Sequence, residues 1–210
     1  MCSESHLPAP YYQDARKLFR EGTVPLYWRV FKTSLQTIRM LLILIISFAV
    51  PSLFVSSLLL ITYWSAWKTC NSYMNNALET DMSNIRSRYV SPRGAWFWVV
   101  EADGRLVGTV AIRQQSDRPL VCQLMRMYVQ QLHQRRGIAS ALLNVALHEA
   151  KEFGYRVCVL CTSGVQYEAQ RLFMRKGFKV MGNVKSDFVP LFTQYLITGN
   201  ISQMGKEIGD

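Results

Sequence analysis

The chain has 210 residues, half of them apolar, which is enough for one domain with a real core. Its net charge of +10 favours phosphate-bearing partners, yet no dense Lys/Arg run or nucleic-acid motif accompanies it, which argues against a nucleic-acid-binding module. Five cysteines without regular spacing give no disulfide framework, and the Cys158–Cys161 pair lies largely on an expected strand, where it reads as apolar filling rather than a metal or redox site.

In chain order, residues 1–10 read as a loose terminus with no signal peptide, and residues 14–21 as a short helix that Gly22 ends. Residues 23–39 mix aromatic and basic side chains, as at a membrane interface. Residues 40–67 then run for 28 positions with no ionisable group except Tyr63, long enough for membrane insertion. Pro51 interrupts them, so both one kinked span and a bent hairpin fit. Residues 69–76 read as a polar connector and 77–89 as a helix, with capping groups at Thr80, Asp81 and Ser83. Strands are expected at 96–101 and 106–113, joined by the turn Ala102-Asp103-Gly104-Arg105, with a polar loop at 114–119.

Residues 121–129 read as a buried strand, 139–150 as a helix stopped by Gly154, and 155–160 as a second strand, making a parallel βαβ unit. A helix at 165–176 and strands at 178–181 and 188–198 complete the domain, with Pro190 at a strand start or edge and a polar tail from residue 199. The chain therefore divides into an N-terminal segment (1–39), a membrane-inserted segment (40–67), a folded body (68–198) and a tail (199–210).

The strand-to-helix turn Gln134-Arg135-Arg136-Gly137-Ile138-Ala139 has a ready use. The first N–H groups of a helix lack partners and carry partial positive charge, which suits a phosphate. Gly137 has no Cβ to hold the anion away, and the two arginines add charge. A solvated basic turn is the plain alternative at this point.

These six residues resemble the Q/R-x-x-G-x-G/A loop of the GCN5-related N-acetyltransferase superfamily. Gln166, Ala169, Leu172, Phe173, Gly177 and Phe178 are similar to its N-x-x-A-x-x-L-Y-x-x-x-G-F signature. The resemblance implies an α/β (α+β) fold: a mixed, mostly antiparallel sheet with a central parallel βαβ unit, flanked by helices, with residues 14–21 as its first helix and Tyr11-Tyr12 as the remnant of its first strand. It implies acetyl-CoA as co-substrate, with no metal. The loop residues 134–139 would hold the pyrophosphate, and Gln166 and the backbone groups of Met127, Tyr128 and Val129 the pantetheine and acetyl oxygen. Asp81-Met82-Ser83-Asn84-Ile85 and the run Ser91–Val99 further resemble the camello-like, N-acetyltransferase 8-type branch, whose members sit in endoplasmic reticulum and Golgi membranes. Their acceptors include cysteine S-conjugates, aspartate and protein lysines.

The resemblance has gaps. Phe173 stands where the family carries a tyrosine that protonates the departing thiolate, and Tyr167 lies about 120° away around the helix. No carboxylate lies on residues 123–129, leaving Glu101 and His133 as the nearest candidate bases. Arg126 is read either as a contact for an acidic acceptor or as a solvent-facing side chain. The expected function is a membrane-bound N-acetyltransferase with membrane lipid as a partner; the alternative is a weak or inactive membrane adaptor. Because the first helix should pack on the catalytic sheet, a hairpin with a cytosolic catalytic domain is favoured over a single span, and Asn200 is expected to carry no glycan.

Overall fold

A computed structural model of the chain describes residues 2–3, 11–36, 38–47, 52–184 and 201–209. The elements in chain order are β1 (Cys2–Ser3), α1 (Tyr11–Leu35), α2 (Ile38–Ser47), α3 (Ser52–Glu79), a π-helical turn (Arg86–Val90), β2 (Trp96–Ala102), β3 (Arg105–Gln115), β4 (Arg118–Val129), a 3₁₀ turn (Gln131–His133), α4 (Ile138–Phe153), β5 (Val157–Ser163), α5 (Tyr167–Arg175), β6 (Lys179–Val184) and β7 (Ile201–Glu207). The strands of the described residues form one seven-stranded sheet in the order β1-β2-β3-β4-β5-β7-β6. Among the described strands only β4 and β5 pair in parallel; the other neighbours are antiparallel.

Strand alternation builds a core on each face. Trp98, Val110, Ile112, Cys122 and Leu124 face α4, whose Leu142, Leu143, Ala146, Leu147 and Ala150 are all buried. Phe97, Ala111 and Met125 face the other way, against Ala15, Leu18 and Phe19 of α1 and Met74, Ala77 and Leu78 of α3. Each large aliphatic chain so buried is worth roughly 1.5–3 kcal/mol. Gly154 ends α4 in the left-handed conformation, φ 101°, with its N–H bonded to Lys151 O at 2.9 Å. Asp103 and Gly104 both take positive φ, 52° and 71°, as the tight turn between β2 and β3 requires.

Several expectations are corrected. α1 does not stop at Gly22 but runs to Leu35, and Tyr11-Tyr12 open it rather than form a strand. The first strand is instead β1, inside the expected loose terminus, paired to β2. The polar stretch 69–76 belongs to α3, because one helix continues from the apolar half into a face that packs on α1. The helix expected to reach residue 89 breaks after Glu79: a turn holds Asp81, and Ser91 N–H closes the π-helical turn onto Arg86 O at 2.8 Å. Most of the expected loop at 114–119 is strand. Residues 201–207, expected to fray, form β7 in the sheet interior between β5 and β6. The expected strand at 188–198, the bend at Pro51 and the Asn200 side chain lie outside the described residues.

The apolar stretch 40–67 is divided between α2 and α3. Among the described residues no helix is long and apolar enough to cross a membrane.

Candidate functional site

The turn between β4 and α4 presents bare donors. The first backbone bond within α4 runs from Ala141 N–H to Gly137 O at 3.0 Å, so the N–H groups of Ile138, Ala139 and Ser140 have no helical acceptor, and Gly137, at the N-cap, has no side chain to cap them. Gly137 takes φ 82°, which L-residues rarely adopt, and a Cβ built there would meet nothing within 4 Å. The space in front of the helix end is therefore open, and an anion would meet backbone N–H groups together with the exposed Arg135 and Arg136. Arg135 also has positive φ, 61°, so the loop makes two left-handed turns within three residues. The donors, the clearance and the charge all suit a pyrophosphate.

The loop is tied to the strand that feeds it. Gln134 Nε2 donates to Val129 O at 2.9 Å, and Gln130 N–H to Val107 O at 2.8 Å. Gln134 therefore shapes the loop, and the Val129 carbonyl already has a donor.

Beside the loop the sheet opens. β4 pairs with β5 only over Val121–Leu124 against Val157–Leu160. Among the described residues β4 has no ladder partner on that side from Met125 onward, and Cys161, Thr162 and Ser163 of β5 pair only on their other edge, with β7. Met127 and Tyr128 thus lie along the edge of a wedge between two parallel strands. Their side chains are packing groups: Met127 joins the α4 core, and Tyr128 packs against the α1 side. Gln166, at the start of α5, accepts from Thr162 Oγ1 at 3.2 Å and Ser163 N–H at 3.3 Å, closing the far wall of the wedge.

The structure separates the other expected residues. Glu101 is exposed on β2 beside the hairpin turn, and β3 stands between it and β4, roughly 10 Å of sheet. His133 sits in the 3₁₀ turn before the loop; its Nδ1 is buried with no hydrogen-bond partner among the described residues. Phe173 is buried edge-on against Phe178, with ring centroids 5.7 Å apart, and offers no proton. Tyr167 is 53% exposed at the first turn of α5.

Arg126 is neither a free contact nor a solvent-facing group. Its Nε and Nη2 donate to Asp81 Oδ2 and Oδ1 at 2.7 and 2.5 Å, with side chains 11% and 9% exposed. The Tyr89 hydroxyl donates to the same carboxylate. Burial pushes the Asp81 carboxyl up, but the hydrogen bonds and charge of Arg126, with the Tyr89 hydroxyl, outweigh it and hold it below its ordinary value. The Asp81–Arg126 pair joins positions 45 apart and had no local sequence signal.

α1 also bears on the wedge. A Cβ at Gly22 would run into the Tyr128 ring, so a glycine here lets the helix lie against β4. Burial, then the nearby Glu21 charge, raise the Tyr128 phenol above its ordinary value, keeping it an O–H at neutral pH. About two turns on, Arg29 Nη1 meets Glu168 of α5 at 2.7 Å, so α1 touches both walls of the opening.

The Acetyltransferase (GNAT) family model matches residues 61–178, from within α3 to the residue before β6. N-acetyltransferase 8 of Mus musculus is 39% identical over 139 residues, covering 65% of this chain and 60% of the mouse protein, so the chain spans less than two thirds of that relative. N-acetyltransferase 8B of Homo sapiens is 36% identical, with 72% of this chain and 70% of that protein covered. Human N-acetylaspartate synthetase is 37% identical over 127 residues, 60% of this chain and 42% of that protein. Among solved structures, an acetyltransferase of the GNAT family from Streptococcus pneumoniae shares the fold, with TM-score 0.51, 21% identity, and 61% and 75% of the two chains covered.

Proposed function

Since the chain belongs to the acetyltransferase (GNAT) family, we propose that it transfers acetyl from acetyl-CoA to an amine, with a cysteine S-conjugate, a free amino acid or a protein lysine as acceptor. The observation that carries this reading is the open helix end at Gly137 set beside the unpaired edge of β4. Acetyl-CoA supplies an activated thioester: the amine nitrogen forms the new C–N bond, the C–S bond breaks, and CoA leaves as thiolate. The amine must shed a proton, and the thiolate must gain one.

The chain's own residues supply mainly position and charge. Ile138, Ala139 and Ser140 N–H groups with Arg135 and Arg136 would hold the pyrophosphate. The backbone groups of Met127 and Tyr128 would hold the pantetheine and polarise the acetyl oxygen. Gln134 and Gln166 act on the walls of the site, through Val129 and through Thr162 and Ser163.

The test is purified protein with labelled acetyl-CoA and a panel of S-benzyl-cysteine, aspartate and lysine peptides. Release of free CoA thiol with label on one amine supports the reading. One observation favours a second reading, a weak or inactive adaptor: Phe173 buries a phenyl ring where an acid is needed. CoA binding without transfer to any amine would establish that second reading.

The same proposal places the protein on a membrane of the endoplasmic reticulum or Golgi, with the catalytic body on the cytosolic side. α1 and α3 lie antiparallel, Ala15 and Leu18 sharing a core with Met74 and Leu78, and Phe31 meeting Tyr63 further along. Beyond that contact the apolar side chains turn outward: Ile45, Ile46, Leu53 and Leu60 are 69, 73, 81 and 68% exposed. A collar of paired aromatic and basic groups borders them, Lys32 over Trp28 at 5.4 Å and Lys68 over Trp64 at 5.0 Å. α2 has ten residues, about 15 Å of helix, half of a hydrocarbon core of about 30 Å. Those lengths support a hairpin dipping into one leaflet. Digestion of tags at both termini in sealed microsomes without detergent supports it; a protected C-terminus or a glycan on Asn200 refutes it.

A further inference from the structure

The backbone of β4 contains one residue that does not belong in a strand. Arg126 has φ 53°, in the left-handed region that non-glycine residues avoid. The consequence is visible in which side chains share a face. Cys122 and Leu124 point into the α4 core; two residues on, Arg126 should do the same, and it does not. It turns to the α1–α3 face, beside Met125 and Tyr128, and Met127 and Val129 return to the α4 core. The register with β3 slips at the same place, between Thr109 and Ala111. One extra residue is thus inserted as a β-bulge. It sits two residues beyond the last pairing with β5, Leu124 opposite Leu160. The bulge marks where β4 leaves β5, and it sets the direction of Met127 and Tyr128 beyond it.

Such a conformation persists only where the surroundings over-determine it. Here they hold it from several sides. Thr109 Oγ1 donates to Arg126 O at 2.8 Å, fixing the peptide from β3. The guanidinium is gripped through two atoms by Asp81, Nε at 2.7 Å and Nη2 at 2.5 Å, and Nη1 reaches the Tyr73 hydroxyl at 3.2 Å. It lies over the Phe19 ring at 4.9 Å and near the Tyr73 ring at 5.9 Å. Asp81 is itself held: Tyr89 donates to it, and it follows α3 by two residues in a turn closed by Met82 N–H to Ala77 O at 3.0 Å. A two-point grip fixes the orientation of the guanidinium plane as well as its place, which a lysine or a single contact would not.

We infer that Asp81 is a positioning residue for acetyl transfer: by clamping Arg126 it locks the β4 bulge, and the bulge aims the Met127 and Tyr128 backbone groups at the thioester. This rests on the acetyltransferase reading for its catalytic part, and on geometry alone for the clamp. Asp81 touches no reacting atom; it acts through Arg126.

The backbone requirement makes the inference testable against an ion-pair or acceptor-binding role. Glycine adopts positive φ without strain and alanine does not. The double variants Asp81→Asn/Arg126→Gly and Asp81→Asn/Arg126→Ala both delete the buried pair and its charge, and differ chiefly in what the backbone can adopt. Hydrogen exchange of the peptide covering residues 124–129 in the full chain reads the bulge without any substrate. The alanine double variant should exchange faster than wild type and the glycine one should stay close to it. With acetyl-CoA and the amine panel, Asp81→Asn and the alanine double variant should lose kcat by up to about 100-fold, the cost of a displacement of about 1 Å. KM for acetyl-CoA should hold, since the phosphate loop is untouched. The glycine double variant should recover most of the kcat. Equal exchange and equal kcat in the two double variants would overturn the inference. If wild type turns over no amine, the acetyltransferase reading fails while the exchange contrast still decides the clamp.

Discussion

Gly137→Asp separates the electrostatics of the phosphate loop from its shape. A Cβ at this position meets no atom within 4 Å, so a side chain starts into open space. What it does cost is backbone: φ 82° is left-handed, and a non-glycine residue there loses about 1–2 kcal/mol, least for Asp and Asn. The new carboxylate would stand in the space that the Ile138 and Ala139 N–H groups face. Two unit charges about 5 Å apart at an effective dielectric near 20 repel by about 3 kcal/mol, an affinity loss of roughly 100-fold. Gly137→Asn has nearly the same size and the same tolerance of positive φ but no charge, and isolates that term. Calorimetric titration of each folded variant with CoA, at low and at moderate salt, measures it. The expected order is wild type tightest, Asn intermediate and Asp weakest, with the Asp–Asn gap narrowing as salt rises. Equal affinity for the Asp and Asn variants at low salt would refute pyrophosphate binding at this helix end.

Phe173→Tyr should raise kcat, by at most about 100-fold, if protonation of the leaving thiolate limits turnover. The ring is 6% exposed, so a hydroxyl that found no partner would lower thermal stability instead, and an unchanged kcat with CoA still bound would clear thiolate release as the slow step. Asp81→Asn strands the Arg126 charge in a buried site and should cost about 3–5 kcal/mol in denaturant unfolding. The Asp81 carboxyl is held below its ordinary value, so its share of stability is complete above the unfolded-state value of about 3.9 and is lost as pH falls through the lower folded value. The gap between wild type and Asp81→Asn should therefore shrink in acid; a gap constant to pH about 2 would contradict the pairing. Ile45→Asp with Ile46→Asp should abolish flotation on phosphatidylcholine/phosphatidylserine vesicles while leaving solubility intact, since both positions are exposed. Flotation equal to wild type would remove α2 from the membrane contact.

The sequence was most legible where the signal was local. The 102–105 turn, the apolar face of α4 and its Gly154 stop each depend on residues within a few positions of one another, and each forms where expected. Gly22 misled because a glycine that ends a helix and a glycine that lets a helix approach a neighbour look identical in sequence. The Tyr128 ring lies 106 positions away, and only tertiary packing shows which role applies. α3 hid for the same reason. Its second half is polar in composition, yet Met74, Ala77 and Leu78 put a narrow apolar stripe against α1, and packing of such a stripe sustains a helix that composition alone would leave undecided. β7 lacked a strong apolar run, but Met204 is fully buried and its neighbours are held by ladders on both sides.

The site divides along the same line. An anion cradle at a helix N-terminus is made by consecutive residues, so glycine, arginines and the following helix declare it together. A catalytic acid or base is defined by where a side chain ends up, and Glu101 and His133 show how weakly sequence position constrains that: β3 separates one from β4, and the other buries its Nδ1 beside the loop. Asp81 is the sharper case. Its motif was readable as a resemblance, but its chemistry was not, because a carboxylate near the start of an expected helix reads as a cap. What gives it another role is an arginine 45 residues on whose backbone is left-handed, a conformation with no residue signature in the absence of glycine. Both arginines with positive φ, Arg126 and Arg135, flank the segment that the acetyl-CoA chain would follow. Backbone shape at these two points, held by Asp81 on one side and by the Gln134 bond to Val129 on the other, orients the N–H groups between them. That makes the geometry of the strand, more than any single catalytic side chain, the means by which this chain would lower the barrier to acetyl transfer.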